Sequence, residues 1–229
     1  MTDSPPNLRY ELKFVAAGHS LADALALVRR HPAGFRATYP ARMVNNVYLD
    51  SPGLRDYFDH VSGAANRVKT RIRWYGPLTG QVEKPALERK IKRGAVSGKA
   101  VHALPPLTLD GGGFRQTIAE AIGQDGMPET VRSALRHLEP SVLNRYWRHY
   151  FESANRRFRL TVDSDLQFAS VRGGAGESSA RPAGNGLLIL ELKYAPQHAD
   201  RANAITNALP FRVTRCSKYV LGIESVGAV

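Results

Sequence analysis

The chain has 229 residues, 43% of them hydrophobic, which is enough for a sizeable core and too apolar for global disorder. A single cysteine, Cys216, excludes a disulfide framework within the chain, and no stretch reaches the roughly 20 apolar residues of a membrane-spanning helix. The formal charge is +12, from 32 Lys and Arg against 20 Asp and Glu, so the expected partner is an anion: nucleic acid, anionic lipid or a phosphate-rich small molecule.

Met1 to Leu8 is polar and proline-bearing and lacks the basic-then-apolar order of a signal peptide. With the lone cysteine, this sets a cytoplasmic location as the expectation; a membrane-bound partner protein stays open. Leu8 to Val15 reads as a strand. Ser20 to Arg30 has helical spacing, with Leu21, Leu25 and Val28 on one face and Ser20 as N-cap. Met43 to Asp50 is a strand, and Pro52 to Ser62 a short helix or turn. Val68 to Tyr75 and Val82 to Lys92 read as strands joined through Gly76 to Gly80.

Gly94 to Gly113 reads as irregular because of its Gly and Pro content. Phe114 to Ile122 and Pro128 to Leu138 look helical. Val142 to Glu152 and Arg156 to Asp163 form a hairpin-like pair across Ser153 to Asn155. The stretch 171–186 is rich in Gly, Ser and Ala and reads as a mobile loop within a single domain spanning 1–229. Gly186 to Tyr194 is a strand, Ala199 to Ala208 a helix, and Phe211 to Val220 a short extended segment. About eight strands with interspersed helices predict an α+β fold: a closed eight-stranded antiparallel barrel with helices packed outside.

Side chains two apart share one face of a strand, and several strands here carry a cationic face. Lys69, Arg71 and Arg73 share one; so do Glu88, Lys90 and Lys92; so do Arg157, Arg159, Thr161 and Asp163; so do Arg9, Glu11 and Lys13. Glu191 and Lys193 lie opposite Leu190 and Leu192. Charged outer faces are ordinary, but these ladders are Arg-heavy and mostly of one sign, hence self-repelling unless an anion lies between them. Arg suits such a site, because its planar fork can bond phosphate oxygens bidentately and keeps its charge when partly desolvated. The interspersed carboxylates Glu11, Glu88, Asp163 and Glu191 are either partners of these cations or hard oxygen ligands for Mg²⁺ or Mn²⁺. Glu191, at the end of the apolar run LLILELK, is the stronger metal candidate, with Glu11 second. Nucleic-acid binding is not expected: the cations alternate along strands instead of lining one helix, and no stacking platform is evident. The seven histidines have no metal-type spacing, and GGG at Gly111 to Gly113 lacks the ending of a P-loop.

In chain order the motifs RYELKF (Arg9 to Phe14), NNVYLDSPGLRDYFDH (Asn45 to His60), VKTRIRWYG (Val68 to Gly76), LERKIKRG (Leu87 to Gly94), YWRHYF (Tyr146 to Phe151), RFRLTVDSDL (Arg157 to Leu166), LLILELKY (Leu187 to Tyr194) and SKY (Ser217 to Tyr219) resemble the VTC polyphosphate-polymerase domain of the CYTH, or triphosphate tunnel metalloenzyme, superfamily. The resemblance implies an eight-stranded tunnel lined with basic residues. It implies phosphate contacts from Lys13, Arg71, Arg73, Lys90, Arg148, Arg159 and Lys218, with Lys218 near the attacked phosphorus, and a divalent metal on Glu191. It implies ATP or another triphosphate as substrate and inorganic polyphosphate as acceptor and product. Catalysis would rest on Lys218, Glu191, Arg71 and Arg73. With water as acceptor the same site would be a triphosphatase; without turnover, a polyphosphate or nucleotide sensor. One departure stands out. The superfamily's Glu-x-Glu-x-Lys opening is Arg9-Tyr10-Glu11-Leu12-Lys13 here, which removes one carboxylate and leans toward the more cationic VTC type.

Overall fold

The computed structural model describes residues 9–94, 96–109, 114–123, 127–171, 181–182 and 186–229. The reading of 171–186 as a mobile loop falls largely outside them. Its framework is one antiparallel sheet built from β1 (Tyr10–Val15), β2 (Arg36–Asp50), β3 (Asn66–Tyr75), β5 (Ala86–Arg93), β6 (Val96–Ala103), β8 (Glu139–Glu152), β9 (Phe158–Ser170) and β11 (Ile189–Tyr194). The strand order is β1-β11-β9-β8-β2-β3-β5-β6, with the short β10 (Arg181–Pro182) added to β9. A second, two-stranded sheet pairs β4 (Gly80–Val82) with β7 (Leu107–Leu109).

This corrects the closed barrel. Among the described residues the end strands β1 and β6 pair with β11 and β5 and not with each other, so the sheet stays open. Closure needs the two end strands within about 4.8 Å of each other in matched register. Here side chains span the gap instead: Lys90 Nζ on β5 reaches Glu11 Oε2 on β1 at 3.1 Å. The sheet is thus curled, with a concave face that carries the charge.

Alternation decides which side chains face where. Val47 and Leu49 of β2, Ile72 and Trp74 of β3, and Leu87 of β5 point to the convex face. They form a core with Ile118 and Ala121 of α3 (Phe114–Gly123) and Val131 and Leu135 of α4 (Glu129–Leu135). On the other half, Phe14, Leu160, Val162, Leu190 and Leu192 pack against Ala24 and Val28 of α1 (Leu21–Arg30) and against Ala202 and Ile205 of α5 (Ala199–Asn207). α1 begins with a capping box in which Ser20 and Asp23 satisfy each other's backbone N–H groups, each at 3.1 Å.

Two segments depart from the expectations. Val96 to Ala103, read as irregular, is a full strand; its Gly and Pro-poor core pairs with β5 along its whole length. The C-terminal segment contains only an isolated bridge at Val213 and then the helix α6 (Lys218–Ser225), capped by Ser217, whose hydroxyl accepts from the Val220 N–H at 3.3 Å. α6 also breaks the rule of helices outside. Its Gly222 lies against Phe168 and Val142, which share the concave face with Asn144 and Tyr48, so α6 covers one end of that face. Asp50 anchors this end. It accepts from the Asp56 N–H at 3.0 Å and the Tyr57 N–H at 2.9 Å, in the first turn of α2 (Arg55–Val61), and from the Tyr219 hydroxyl of α6.

Candidate anion-binding cleft

The concave face encloses a cleft of about 480 Å³ lined by Arg9, Glu11, Lys13, Tyr48, Lys69, Arg71, Arg73, Glu88, Lys90, Gly98, Lys99, Tyr146, Arg148, Glu191, Lys193, Ser217 and Lys218. Among the described residues, ten cations thus face three glutamates. Because strand side chains alternate, the strands that carry the cationic ladders turn them into this space and their intervening apolar side chains into the convex core. The cations come from six strands, β1, β3, β5, β6, β8 and β11, from Arg9 just before β1, and from the first residue of α6.

Two ion-pair groups organise the lining. At the floor, Asp163 is fully buried and takes a bidentate contact from Arg148, both bonds at 2.6 Å, and a third from Lys218 Nζ at 2.6 Å. Glu191 adjoins it, 3.3 Å from Arg148, 3.2 Å from Lys218, 3.1 Å from Lys193 and 3.7 Å from Lys13. Across the cleft, Glu88 receives Arg71 Nε at 2.8 Å and Lys99 Nζ at 2.6 Å, with Arg73 at 3.7 Å. Arg73 in turn is oriented by Asn46 Oδ1 at 2.8 Å, and Asn46 donates to Asn144 at 2.7 Å. These carboxylates hold the guanidinium groups in place, so the arginines are ordered before any ligand arrives.

The field of the site shows in the titrating groups. Burial would raise the Glu191 pKa, but Lys218, Lys193, Arg148 and Lys13 outweigh it and hold the carboxyl well below its ordinary value. Burial and Glu191 push Glu11 up, while Lys193, Lys13 and Lys90 pull it down to about 2. For Glu88 burial is again overcome, by Arg71, Arg73 and Lys99, and its pKa falls to about 2. Lys69 shows the opposite balance. Burial, then Lys13, Lys90, Arg67 and Arg71, pull its pKa down to about 7, and its Nζ donates to Ser217 Oγ at 2.8 Å. A lysine that gives up its proton near neutrality marks a local excess of positive charge.

Of the phosphate contacts expected from sequence, Lys13, Arg71, Arg73, Lys90, Arg148 and Lys218 line the cleft. Arg159 does not. It stands opposite Lys193 in register, but its side chain is 62% exposed and meets Glu152 at 3.4 Å. Glu191 and Glu11 both face the cleft. As for a metal, no group of three or more His, Cys, Asp or Glu residues is arranged to hold one among the described residues. The two glutamates share Lys13 and Lys193 as neighbours, with Lys13 3.4 Å and Lys193 3.9 Å from Glu11. That donor set fits a hard cation that takes one or two carboxylates and fills its shell with water and ligand oxygens; it is no self-sufficient cage. Sequence reading missed Lys99, because its strand was taken as irregular, and passed over Tyr48 and Tyr146. The tyrosines carried a usable signal: Tyr146 lies two residues before Arg148, and Tyr48 pairs with Arg71 in register.

An open, curled antiparallel sheet whose concave face gathers cations around a few carboxylates defines a class of anion-binding domain with a preorganised cleft. The VTC domain family matches residues 8–227, and the chain belongs to that family. Among solved structures, a candidate adenylate cyclase from Vibrio parahaemolyticus superposes with a TM-score of 0.53 at 12% identity, covering 94% of this chain and 98% of its own. A candidate adenylyl cyclase from Hippeastrum, described as having a dominant triphosphatase activity, gives a TM-score of 0.46 at 11% identity, with 96% of each chain covered. None of the curated proteins matches this chain.

Proposed function

We propose that this protein is a metal-dependent phosphotransferase of the polyphosphate-polymerase type, working as one domain. What carries the reading is the convergence, among the described residues, of ten cations with three glutamates on one cleft. Such an excess is self-repelling until a polyanion fills it, and a chain of phosphates is the polyanion whose spacing and tetrahedral oxygens suit ranks of Arg and Lys.

Phosphoryl transfer asks little covalent help from a protein; it asks for in-line positioning and neutralisation of spread negative charge. In this reading Arg71, Arg73 and Arg148 fork onto phosphate oxygens, held in advance by Glu88, Asn46 and Asp163. Lys218, fixed at the start of α6 between Asp163 and Glu191, places its ammonium beside the reacting phosphoryl group. Lys13, Lys90, Lys99 and Lys193 supply point charge along the chain. A divalent cation would be held by Glu191 and Glu11, and when bound it would supply further neutralisation of phosphate charge. In the transfer, the bond from the terminal phosphorus of ATP to its bridging oxygen breaks, and ADP leaves with the electron pair. A terminal oxygen of the polyphosphate chain forms the new bond.

The test is product analysis after incubation with ATP and Mn²⁺ or Mg²⁺. Long polyphosphate with ADP is the expected result. Orthophosphate or pyrophosphate alone would make the site a hydrolase, and tight polyphosphate binding without turnover would make it a sensor. Lys218→Ala and Glu191→Ala should each abolish turnover; undiminished rates in both would remove these residues from the mechanism.

A further inference from the structure

One end of the concave face is built from different chemistry. Tyr75 follows Arg73 by two residues on β3, and Tyr150 follows Arg148 by two on β8, so each continues its strand's cleft-facing row by about 6.8 Å. Between them lies Arg42, which stands opposite Arg148 in register on β2. Its guanidinium is 4.7 Å from the centre of the Tyr75 ring, 4.7 Å from Tyr150 and 5.4 Å from Tyr39. Tyr39 meets Tyr150 edge to face at 5.8 Å. Arg42 forms no ion pair with a carboxylate among the described residues. Tyr39 is 61% exposed and Tyr75 46% exposed.

Three tyrosines around an exposed guanidinium are poorly suited to a bare phosphate chain, which gains nothing from aromatic faces. They suit a planar, polarisable ring, which can stack on Tyr75 or on the guanidinium plane. Tyr75 and Tyr150 each lie one same-face step, about 6.8 Å, along their strands from Arg73 and Arg148. At the opposite end, α6 covers the concave face.

We infer that the Arg42–Tyr39–Tyr75–Tyr150 cluster is a nucleobase site, and that the cleft takes a nucleoside triphosphate phosphates-first from this end. The inference rests on the cleft being a triphosphate site and adds what selects a nucleotide over an inorganic chain. The rings bind the base, the ribose spans the step to Arg73 and Arg148, and the phosphates extend toward Lys218.

The test compares calorimetric binding of ATP and of inorganic tripolyphosphate to the intact protein and to Tyr75→Ala and Tyr75→Trp. Expected is an ATP affinity about tenfold weaker in Tyr75→Ala, near 1.4 kcal/mol, restored in Tyr75→Trp, with tripolyphosphate binding unchanged in both. Unchanged tripolyphosphate binding also certifies the fold of the variants. Equal loss for both ligands, or no loss for ATP, overturns the base site while leaving the phosphate cleft standing. Failure of both ligands to bind the unaltered protein overturns both readings.

Discussion

Lys90 Nζ lies 3.1 Å from Glu11 Oε2, joining two strands that share no backbone hydrogen bond. The lysine side chain is 49% exposed and the glutamate 23%, so water screens the pair. Exposed pairs contribute under about 1 kcal/mol. Lys90→Ala should therefore lower Tm by at most about 4 °C while weakening tripolyphosphate binding measurably. Calorimetric unfolding and a binding titration on one preparation check both halves. A large loss of stability would mean that this contact, and not the sheet, holds the two ends together.

Asp163 behaves differently. It is fully buried beneath Arg148 and Lys218, and removing its charge leaves two nearly buried cations to share the single carboxylate of Glu191. Asp163→Asn should cost about 3–5 kcal/mol, read from urea denaturation. Glu152→Gln, at a carboxylate that meets the exposed Arg159 at 3.4 Å, should cost under about 1 kcal/mol. Similar values for the two would deny the buried network its role.

The depressed carboxylates set the acid limit. Glu11 and Glu88 ionise near pH 2 in the folded protein against an ordinary value of 4.5. A folded pKa below the unfolded one gives stability that is complete above the unfolded value and lost as pH falls through the folded one. Stability should therefore be level above about pH 5 and fall progressively between about 4.5 and 2. Circular dichroism across that range checks it, and Glu88→Gln should flatten part of the slope.

Lys69 makes ligand binding pH-dependent with the opposite sense. Its pKa is about 7 in the free protein, and a bound polyanion raises it. Below pH 7 the lysine is charged before and after binding, so affinity is level. Above pH 7 binding must take up a proton, and affinity falls by up to about tenfold per pH unit. Calorimetry of tripolyphosphate binding at pH 8 in buffers of different ionisation enthalpy should register this uptake. Lys69→Met should abolish it.

Gly222 is the close-approach point of α6. A Cβ there would come within 2.8 Å of Phe168 and 3.1 Å of Val142, both fully buried. Gly222→Ala should cost about 1–3 kcal/mol through overpacking and weaken phosphate binding further by displacing Lys218 at the head of the same helix. Denaturation and binding of the variant check this; unaltered values for both would show that α6 can shift freely.

Much of the site was legible in the residues alone because strand phase is local. With Lys69, Arg71 and Arg73 two apart, any strand through them puts all three on one side, whatever it pairs with. The same logic holds for Glu11 with Lys13 and Glu191 with Lys193. Ser20 and Asp23 likewise declared the start of α1, since a capping box closes within four residues. Strand phase could not say how the ladders meet. Arg159 has the right phase yet lies at an exposed margin, and Lys99 belongs to a strand visible only through its pairing with β5. Whether the sheet closes depends on β1 and β6, which are far apart in sequence and bind different neighbours, and α6 lies over the concave face because Gly222 leaves room against Phe168. The sequence by itself determined which side chains share a face and the sign of the charge they carry. The tertiary structure alone decided which faces converge, that the sheet remains open, and that a row of tyrosines around Arg42 ends the row of arginines, because each of these follows from contacts between residues distant along the chain.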